Sequence, residues 1–450
     1  MTNRSPWLHE LKRDREPVLL DQDVNTDVVV VGAGIAGIST CFFLLTQTAK
    51  SVVLVDRSKV AHGATGHNAG YLATYFERPF ADMVKEFGLE ATGDAHRAVE
   101  SAWELLDLMY TTAGLNIPLA RFEGHMGVTT KDQVLLNLEN NWYRKEAKLK
   151  TERIQIADHV VFAQEIPDKY KELFTFVPHE EILKTLETEN SSYIASFSYQ
   201  KGTANSALLS EGIYTYLAAT YGTRFKLYEH TDIQKVVLRD NGALLDAGFY
   251  TINAQRVILC TNGFEHIKIF NQGNLEIDKV FHKDVSGVVG YMSAYLETMN
   301  KPPLAVSYFG EKGIDYDDDY FYLSRRQYEY DGKPQNLISI GGPVKNLEDR
   351  KKYIEDYEYP EDAKEVIDTF VKDTYDKDPN KKIEYQFTWH GLMGYTPNKI
   401  RLIGPHPRNP VLMYNLGCNG LGLLPSIYGG KRIVDYLSGA EILPMIFDPK

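Results

Sequence analysis

The sequence predicts an α/β fold, because a buried strand runs directly into a helix near the start of the chain. The apolar, β-branched run of residues 28–31 is typical of a strand buried on both faces in a parallel sheet. An apolar helical stretch follows and opens with glycines in a G-x-G-x-x-G spacing, Gly32, Gly34 and Gly37. A second strand, residues 52–55, ends at Asp56, 22 residues after Gly34. This order of elements indicates a Rossmann-type unit.

Each part of this unit has a mechanical role in binding a dinucleotide. The first glycine allows a tight turn, the second lets the backbone approach a pyrophosphate, and the third lets helix and strand pack closely. The N-terminus of the helix attracts phosphates, and the acid that ends the second strand accepts hydrogen bonds from ribose hydroxyls. We therefore predict that a dinucleotide with a free adenosine ribose binds here, at Gly32, Gly34, Ile35, Ala36, Gly37, Asp56 and Arg57.

The apolar stretch of residues 28–49 has 22 residues without a charge, which is also long enough to span a membrane. Its clustered glycines and valine-rich start favour the strand, turn and helix, and 27 residues, many of them charged, precede it. No short apolar segment follows a basic N-terminus, as a signal peptide requires. We therefore expect neither an integral membrane segment nor a signal peptide.

Composition narrows the possible partners. With 43% hydrophobic and 24% charged residues the chain resembles an ordinary globular protein, and its net charge of −12 disfavours a nucleic-acid partner. The three cysteines, Cys41, Cys260 and Cys418, are scattered and favour a reducing, cytoplasmic location without disulfides or zinc. The twelve histidines show no metal-binding spacing, so we expect no metal site.

The order of motifs along the chain predicts two interleaved domains. A buried strand within residues 254–264 ends in a Thr-Asn-Gly turn, and further glycine-rich loops crowd the C-terminal end. A single linear cofactor domain would not place such loops at both ends of the chain. We predict a discontinuous cofactor domain of residues 1–80, 196–283 and 384–450. Residues 81–195 and 284–383 would form a substrate domain with a mixed β-sheet and helices, which gives an α/β (α+β) protein overall.

Further motifs, met in order, resemble the D-amino-acid oxidase superfamily of FAD-dependent oxidoreductases. Residues 63–70, GATGHNAG, resemble its second phosphate and flavin-ring segment, most closely in the glycine-oxidase, sarcosine-oxidase and γ-glutamylputrescine-oxidase-like branch. Residues 202–206, GTANS, resemble a G-x-x-x-P helix opening in which Ser206 replaces the proline. The family's later segments are matched by ILCTNG at 258–263, by WHG and GYTP between 389 and 397, and by GCNGLGL at 417–423.

The resemblance implies FAD as the cofactor. Along the second segment it assigns to FAD the residues Ala64, Thr65, His67, Asn68, Ala69, Gly70, Tyr71 and Leu72. In the later segments it assigns Val236, Thr261, Asn262, Gly263, Gly391, Gly420, Leu421, Gly422 and Leu423. Backbone N–H groups of residues 420–423 would face the flavin O2 side, where reduced flavin carries negative charge.

The implied reaction is hydride transfer to flavin N5 from the carbon next to the nitrogen of an amine or amino acid. The imine product is then hydrolysed, and molecular oxygen reoxidises the flavin. Two alternatives stay open, a dehydrogenase of the same fold that passes electrons to another carrier and a non-catalytic flavin-binding or sensor protein. No general base is required when the amine binds neutral, so the sequence identifies no catalytic dyad.

Substrate residues are assigned by the same resemblance. Tyr322 and Arg325 resemble a family strand in which an arginine binds the substrate carboxylate, a task that suits the forked guanidinium. A structural ion pair is the alternative for Arg325 and for the adjacent Arg326. Trp389 and His390 would lie beside the flavin ring, and His390 and Arg325 are the candidate catalytic residues.

His67 departs from the putrescine-oxidase-like branch, which usually has arginine there. The dimethylglycine- and sarcosine-dehydrogenase branch has a histidine at a similar place, and that histidine bonds covalently to the flavin. The alternative is a histidine that only contacts the ring or the phosphates. Cys418 is a second candidate for covalent attachment. Glycine-like amino acids, N-methylated amines, polyamine derivatives and aminophosphonates all remain possible substrates.

Overall fold

The computed structural model describes residues 3–12, 15–263, 267–272, 277–278, 285–311, 320–347, 353–375 and 383–450. Its α-helices are α1 Pro6–Glu10, α2 Ile35–Gln47, α3 Phe80–Phe87, α4 Leu89–Glu100, α5 Ala102–Ala113, α6 Lys131–Glu146, α7 His179–Leu186, α8 Ser206–Tyr221, α9 Glu361–Phe370 and α10 Leu423–Leu437. Its strands are β1 Val24–Val31, β2 Val52–Val55, β3 Tyr71–Leu72, β4 Leu119–Val128, β5 Arg153–Ala157, β6 Phe174–Val177, β7 Ala195–Ala204, β8 Phe225–Tyr228, β9 Lys235–Leu238, β10 Ala243–Asp246, β11 Thr251–Leu259, β12 Lys268–Asn271, β13 Ser286–Thr298, β14 Leu304–Phe309, β15 Tyr320–Tyr330, β16 Lys333–Leu347, β17 Phe387–Tyr395, β18 Leu402–His406 and β19 Asn409–Leu416.

The first sheet is built around β1, which pairs in parallel with both β2 and β11. Strand β8 continues the parallel arrangement beyond β2, and β19 pairs in parallel with β11. Both faces of β1 are buried, because Val28 and Val30 pack with α2 and α10 while Val29 and Val31 pack in the core on the other side. This double burial explains why the strand is an unbroken valine run.

The second sheet is mixed and follows the order β17-β13-β16-β15-β14-β4-β7-β5-β6, with β3 paired on β7. Strands β14 and β4 pair in parallel, as do β5 and β6, and the other described pairs are antiparallel. The protein is therefore a mixed α/β molecule with two sheets, as the sequence predicts. Both β7 and β17, which the predicted cofactor domain includes, pair within this second sheet.

Local signals set the ends of the helices. Asn205 caps α8, since its side-chain oxygen accepts hydrogen bonds from the backbone N–H groups of Ala207 and Leu208. Thr130 and Gln133 form a capping box at the start of α6. Helices α3 and α4 are separated by Gly88, which adopts a φ of +84°. No helix in the described part of the chain is long and apolar enough to cross a membrane.

Lys201, on strand β7 of the second sheet, is fully buried. Its ammonium lies 5.0 Å from the ring centre of Tyr71, 5.9 Å from that of Tyr75 and 4.9 Å from that of Tyr199. The Oγ of Ser307 is 3.4 Å from Nζ. Burial lowers the pKa of Lys201 from its ordinary 10.5 to about 7, against the opposing charge of a nearby glutamate.

Lys201→Met is expected to have a higher free energy of unfolding than the wild type, and this difference should be largest below pH 7. It should become smaller as the pH rises above 7. Because the folded-state pKa is lowered, the unfolded chain holds a proton between about pH 7 and 10.5 that the folded chain has released. In that window the stability of the wild type rises, relative to the variant, by about 1.4 kcal/mol per pH unit. Urea unfolding of both proteins at several pH values checks this, and a constant difference between them would contradict it.

Candidate active site

A cavity of about 840 Å³ lies between the two sheets. One end is formed by residues that follow β1, β2 and β11, where the carboxyl ends of parallel strands meet at one edge of the sheet. The other end is formed by β13, β15, β16 and β17 of the second sheet, and residues 63–77 and 418–423 close its sides. The cavity therefore connects a helix N-terminus with the face of the mixed sheet.

The first end has the geometry of a dinucleotide site. Gly32 adopts a φ of +103°, and a Cβ at this position would lie 2.7 Å from the carbonyl oxygen of Cys260. A Cβ on Gly37 would overlap the carbonyl of Gly32, so this glycine allows α2 to pack on the turn. Gly34 is the N-cap residue of α2, which leaves the N-terminus of the helix facing the cavity.

Acidic side chains surround this end. The carboxylate of Asp56 accepts hydrogen bonds from the backbone N–H groups of Ala33 at 2.6 Å and Ser58 at 2.7 Å. Burial raises the pKa of Asp56, although these two bonds oppose the shift. Arg57 and Glu355 also line the cavity, and their charged groups are 3.8 Å apart. A ribose placed here would meet a carboxylate that is already held in position.

The middle of the cavity is bounded by a loop that Asn68 holds in place. The side-chain amide of Asn68 donates to the carbonyl of Thr65 at 2.6 Å, and its oxygen accepts from the backbone N–H of Gly70 at 2.6 Å. The hydroxyl of Thr65 accepts a hydrogen bond from the backbone N–H of Ile35 at 2.9 Å, which links the loop to α2. These three hydrogen bonds fix the backbone on which the expected flavin ring would lie.

Two tryptophans support this loop from behind. The indole N–H of Trp7 donates to the carbonyl of Asn68 at 2.6 Å, and that of Trp389 donates to the same oxygen at 3.3 Å. The two rings meet edge to face with their centres 6.5 Å apart. Trp7 also covers Gly70, where any Cβ would overlap the indole, and the guanidinium of Arg326 lies 4.4 Å from its ring centre. The N-terminal segment is thus part of the wall of the site.

The second end of the cavity is rich in tyrosine and holds a buried carboxylate, Glu77. The hydroxyl of Tyr320 donates to its Oε1 at 2.9 Å, and that of Tyr395 donates to its Oε2 at 2.9 Å. Gly420 lies against this carboxylate, with a φ of +77° and no room for a Cβ. The sequence analysis missed Glu77 and these tyrosines. A signal for Glu77 was present in the sequence, because every second residue from 71 to 77 points to the same side of an extended chain. Residues 71, 73, 75 and 77 all line the cavity.

Most residues that the sequence assigns to the cofactor line the cavity. They are Gly32, Gly34, Ile35, Ala36, Asp56, Arg57, Ala64, Thr65, His67, Asn68, Ala69, Tyr71, Thr261, Asn262, Gly391, Gly420, Leu421, Gly422 and Leu423. The others, Gly37, Gly70, Leu72, Val236 and Gly263, lie outside the lining. Val236 is buried within β9, and the lining residues of its segment are 231–233 instead.

Of the four residues that the resemblance assigns to the substrate, Tyr322 lines the cavity, and Arg325, Trp389 and His390 lie outside its lining. Arg325 lies on the opposite face of β15, because residues three apart on a strand point to opposite sides. It is fully buried, and its guanidinium binds both carboxylate oxygens of Glu187 at 2.7 Å. The alternative of a structural ion pair is therefore the one observed for Arg325.

Trp389 and His390 also lie outside the lining of the cavity. Trp389 is buried behind the loop of Asn68, as described above. The ring nitrogens of His390 contact the hydroxyl of Tyr353 at 3.1 Å and the carbonyl of Tyr357 at 2.9 Å. Burial lowers the pKa of His390, although the hydrogen bond to the Tyr357 carbonyl opposes this shift. Neither His390 nor Arg325 lines the cavity.

Arg325→Ala is expected to lower the free energy of unfolding by about 3 kcal/mol, because it leaves the carboxylate of Glu187 without its buried partner. Urea unfolding measures this change. Arg153→Ala is the matched control, since its ion pair with Glu123 is half exposed and contributes about 0.5 kcal/mol. Unchanged stability of Arg325→Ala together with a raised KM for an acidic substrate would contradict a structural role for the ion pair of Arg325 with Glu187.

Comparison with known proteins agrees with this geometry. The family model "FAD dependent oxidoreductase" matches residues 27–436. Glycine oxidase from Geobacillus kaustophilus superposes with a TM-score of 0.65 at 16% identity, over 95% of this chain and 99% of that one. L-proline dehydrogenase from P. horikoshii superposes with a TM-score of 0.67 at 15% identity, over 96% of this chain and 98% of that one. At these identities the two structures establish the fold.

Among curated relatives, gamma-glutamylputrescine oxidoreductase of Escherichia coli is 31% identical over 71 residues, which are 16% of this chain and 16% of that protein. The matches to the curated relatives span 14% to 24% of those proteins' lengths. The family match covers most of the chain and confirms the expected family and cofactor. The protein belongs to the FAD-dependent oxidoreductase family, and it is an oxidoreductase whose cofactor is FAD.

Proposed function

We propose that the protein oxidises the C–N bond of an amine or amino acid, with FAD held along the whole cavity between the sheets. The observation that carries the proposal is the continuity of the cavity from the N-terminus of α2 to the tyrosine-lined face of the second sheet. A dinucleotide and a small substrate would therefore meet in one enclosed space. Structures titled as glycine oxidase and as L-proline dehydrogenase share this fold, and both act on amino acids by name.

The residues present fit FAD. The N-terminus of α2 and Thr65 would contact the pyrophosphate, and Asp56 the adenosine ribose. Thr261 lines the cavity, and its buried hydroxyl makes no hydrogen bond to any other described residue. Residues 420–423 would offer backbone N–H groups to the pyrimidine side of the ring. When bound, FAD supplies the capacity to accept a hydride from the carbon next to nitrogen.

The protein's own contribution is orientation and exclusion of water. Tyr322 and Met292 project from the second sheet into the cavity and would hold the substrate carbon against the ring. The imine that results is hydrolysed by water to a carbonyl compound and a smaller amine or ammonia. Molecular oxygen is the proposed electron acceptor, and a separate electron carrier, as in a dehydrogenase, is the alternative. The cytoplasmic location stays a prediction, in keeping with the three cysteines, which form no disulfide.

His67 is the better of the two candidates for covalent attachment of the cofactor. It lines the cavity, and its Nδ1 is 3.1 Å from the carbonyl oxygen of Gly63. Burial lowers the pKa of His67 to about 4, so the imidazole is neutral and nucleophilic at neutral pH. Burial raises the pKa of the Cys418 thiol, which leaves it protonated and a weaker nucleophile.

Acid precipitation of the purified protein is expected to release FAD or to retain it on His67, and the spectra of supernatant and pellet distinguish these results.

A peroxide-coupled screen of amines and amino acids then identifies the reaction. Peroxide formation with an amine supports the oxidase. Reduction of an artificial electron acceptor without peroxide supports the dehydrogenase. A yellow protein that no amine or amino acid reduces under anaerobic conditions would contradict the proposed function and favour the flavin-binding or sensor protein.

Trp7→Phe is expected to weaken FAD binding by about fivefold, because it removes the hydrogen bond to the Asn68 carbonyl behind the ring-binding loop. Equilibrium dialysis of the apo-protein against FAD measures the change. Trp142→Phe on α6 is a matched control, since Trp142 contacts Tyr143 and Lys169 and lies outside the cavity lining. Equal FAD affinity of Trp7→Phe and the wild type would contradict a role of the N-terminal segment in binding the cofactor.

A further inference from the structure

The carboxylate of Glu77 is the charged group at the second end of the cavity that the proposed function leaves without a role. Its side chain is buried, with the whole residue only 8% exposed, and it lines the cavity. Two tyrosine hydroxyls, of Tyr320 and Tyr395, each donate to one of its oxygens. Since a carboxylate oxygen can accept more than one hydrogen bond, both oxygens retain capacity for a donor that arrives in the cavity.

Phenol rings surround this carboxylate. Burial, and after it the nearby charge of Glu77, raises the pKa of the hydroxyls of Tyr75 and Tyr322, and both residues line the cavity. The rings of Tyr71 and Tyr322 meet edge to face at 6.1 Å. Ring faces attract cations, and a buried carboxylate among them adds a charged acceptor. This combination matches an ammonium group with a short apolar substituent.

Among the residues that the structure describes, the cations near this end do not form a carboxylate-binding fork. The guanidinium of Arg401 donates to the side chain and carbonyl of Asn415 and to the carbonyl of Gly417. Lys399 lines the cavity, and its charge lowers the pKa of Glu77 while burial raises it more strongly. Arg57 lies at the opposite end, beside Glu355. Arg325 is bound to Glu187 and faces away.

We propose that Glu77 and its surrounding tyrosines bind the ammonium group of an alkylamine substrate, so that the substrate class is cationic amines in preference to α-amino acids. The inference rests on the proposed function and narrows it. The ammonium N–H groups donate to the two carboxylate oxygens, and the nitrogen becomes neutral for hydride loss when one of these protons passes to the carboxylate of Glu77. The alkyl chain packs against the tyrosine rings and Met292. An α-carboxylate would instead meet Glu77 and be repelled by it.

Three compounds without a hydrogen on the carbon next to nitrogen or oxygen test this on the FAD-loaded protein, because none can be turned over. They are tert-butylammonium, the neutral tert-butanol and the zwitterionic 2-aminoisobutyrate. Each is titrated while the visible absorption spectrum of the bound flavin is recorded. We expect tert-butylammonium to bind at least about tenfold more tightly than either of the others. Equal affinities, or tightest binding of 2-aminoisobutyrate, would overturn the proposal.

Glu77→Gln tests the residue itself. It is expected to weaken binding of tert-butylammonium by about tenfold to 100-fold and to leave tert-butanol unchanged. Glu86→Gln is the matched control, because Glu86 is an exposed partner of Arg78 on α3, and its affinities should equal those of the wild type. An unchanged tert-butylammonium affinity in Glu77→Gln would remove Glu77 from the site.

Failure of this inference is distinguishable from failure of the proposed function. A protein that no amine or amino acid reduces would fail the proposed function, whatever the three compounds do. A protein that amino acids reduce, with 2-aminoisobutyrate binding most tightly, would keep the proposed function and fail only the inference. The ranking on the wild type needs no variant, so poor folding of Glu77→Gln would not leave the question open.

Discussion

Asn68 fixes the segment by which the chain passes from the first sheet to the second, and the cavity depends on that segment. Its side chain closes the loop onto Thr65 and Gly70, and its carbonyl accepts hydrogen bonds from two indoles. One of these indoles comes from the N-terminal segment and the other from β17. A single amide residue thus joins its own loop to two distant parts of the chain. Loss of its contacts would release the wall on which both cofactor and substrate sites are built.

Each end of the cavity holds a carboxylate, and the two carboxylates lie in different surroundings. At the nucleotide end the carboxylate of Asp56 is held by backbone N–H groups, beside a helix N-terminus that favours phosphates. At the substrate end Glu77 is held by tyrosine hydroxyls in a less polar setting. Fixed donors keep each carboxylate in one orientation. The proposed ligands, an anionic pyrophosphate and an organic cation, would therefore be separated along one cavity.

Local motifs made the first end of the site predictable, and the second end depends on pairings between distant segments. The glycines of 32–37 and Asp56 could be assigned because strand, turn and helix follow each other directly in sequence. Val236 and Arg325 lie outside the cavity lining for different reasons. Val236 marks the right segment, but the cavity is lined by 231–233, before the strand begins. Arg325 was grouped with Tyr322 although alternation along β15 places the two on opposite faces.

Alternation would have improved the assignment of the substrate end, but only with the sheet order known. On β13 the lining residues are 286, 288, 290 and 292, and on β16 they are 342, 344 and 346. The pairing between β13, β16 and β15 decides whether the even-numbered or the odd-numbered residues of each strand face the cavity. No local signal in the sequence specifies that pairing. Glu77 was missed for the same reason, since its tyrosine partners lie more than two hundred residues away.

The parallel pairing of β1 with β11 and of β11 with β19 has a consequence for synthesis of the protein. Strand β1 is translated early, yet the neighbours that cover its edge include residues 251–259, and the loop that closes the cavity follows residue 416. The nascent chain therefore cannot assemble the FAD site until nearly all of it has left the ribosome. Until then the valine-rich strand has an unpaired edge, which makes chaperone protection during translation important for this fold.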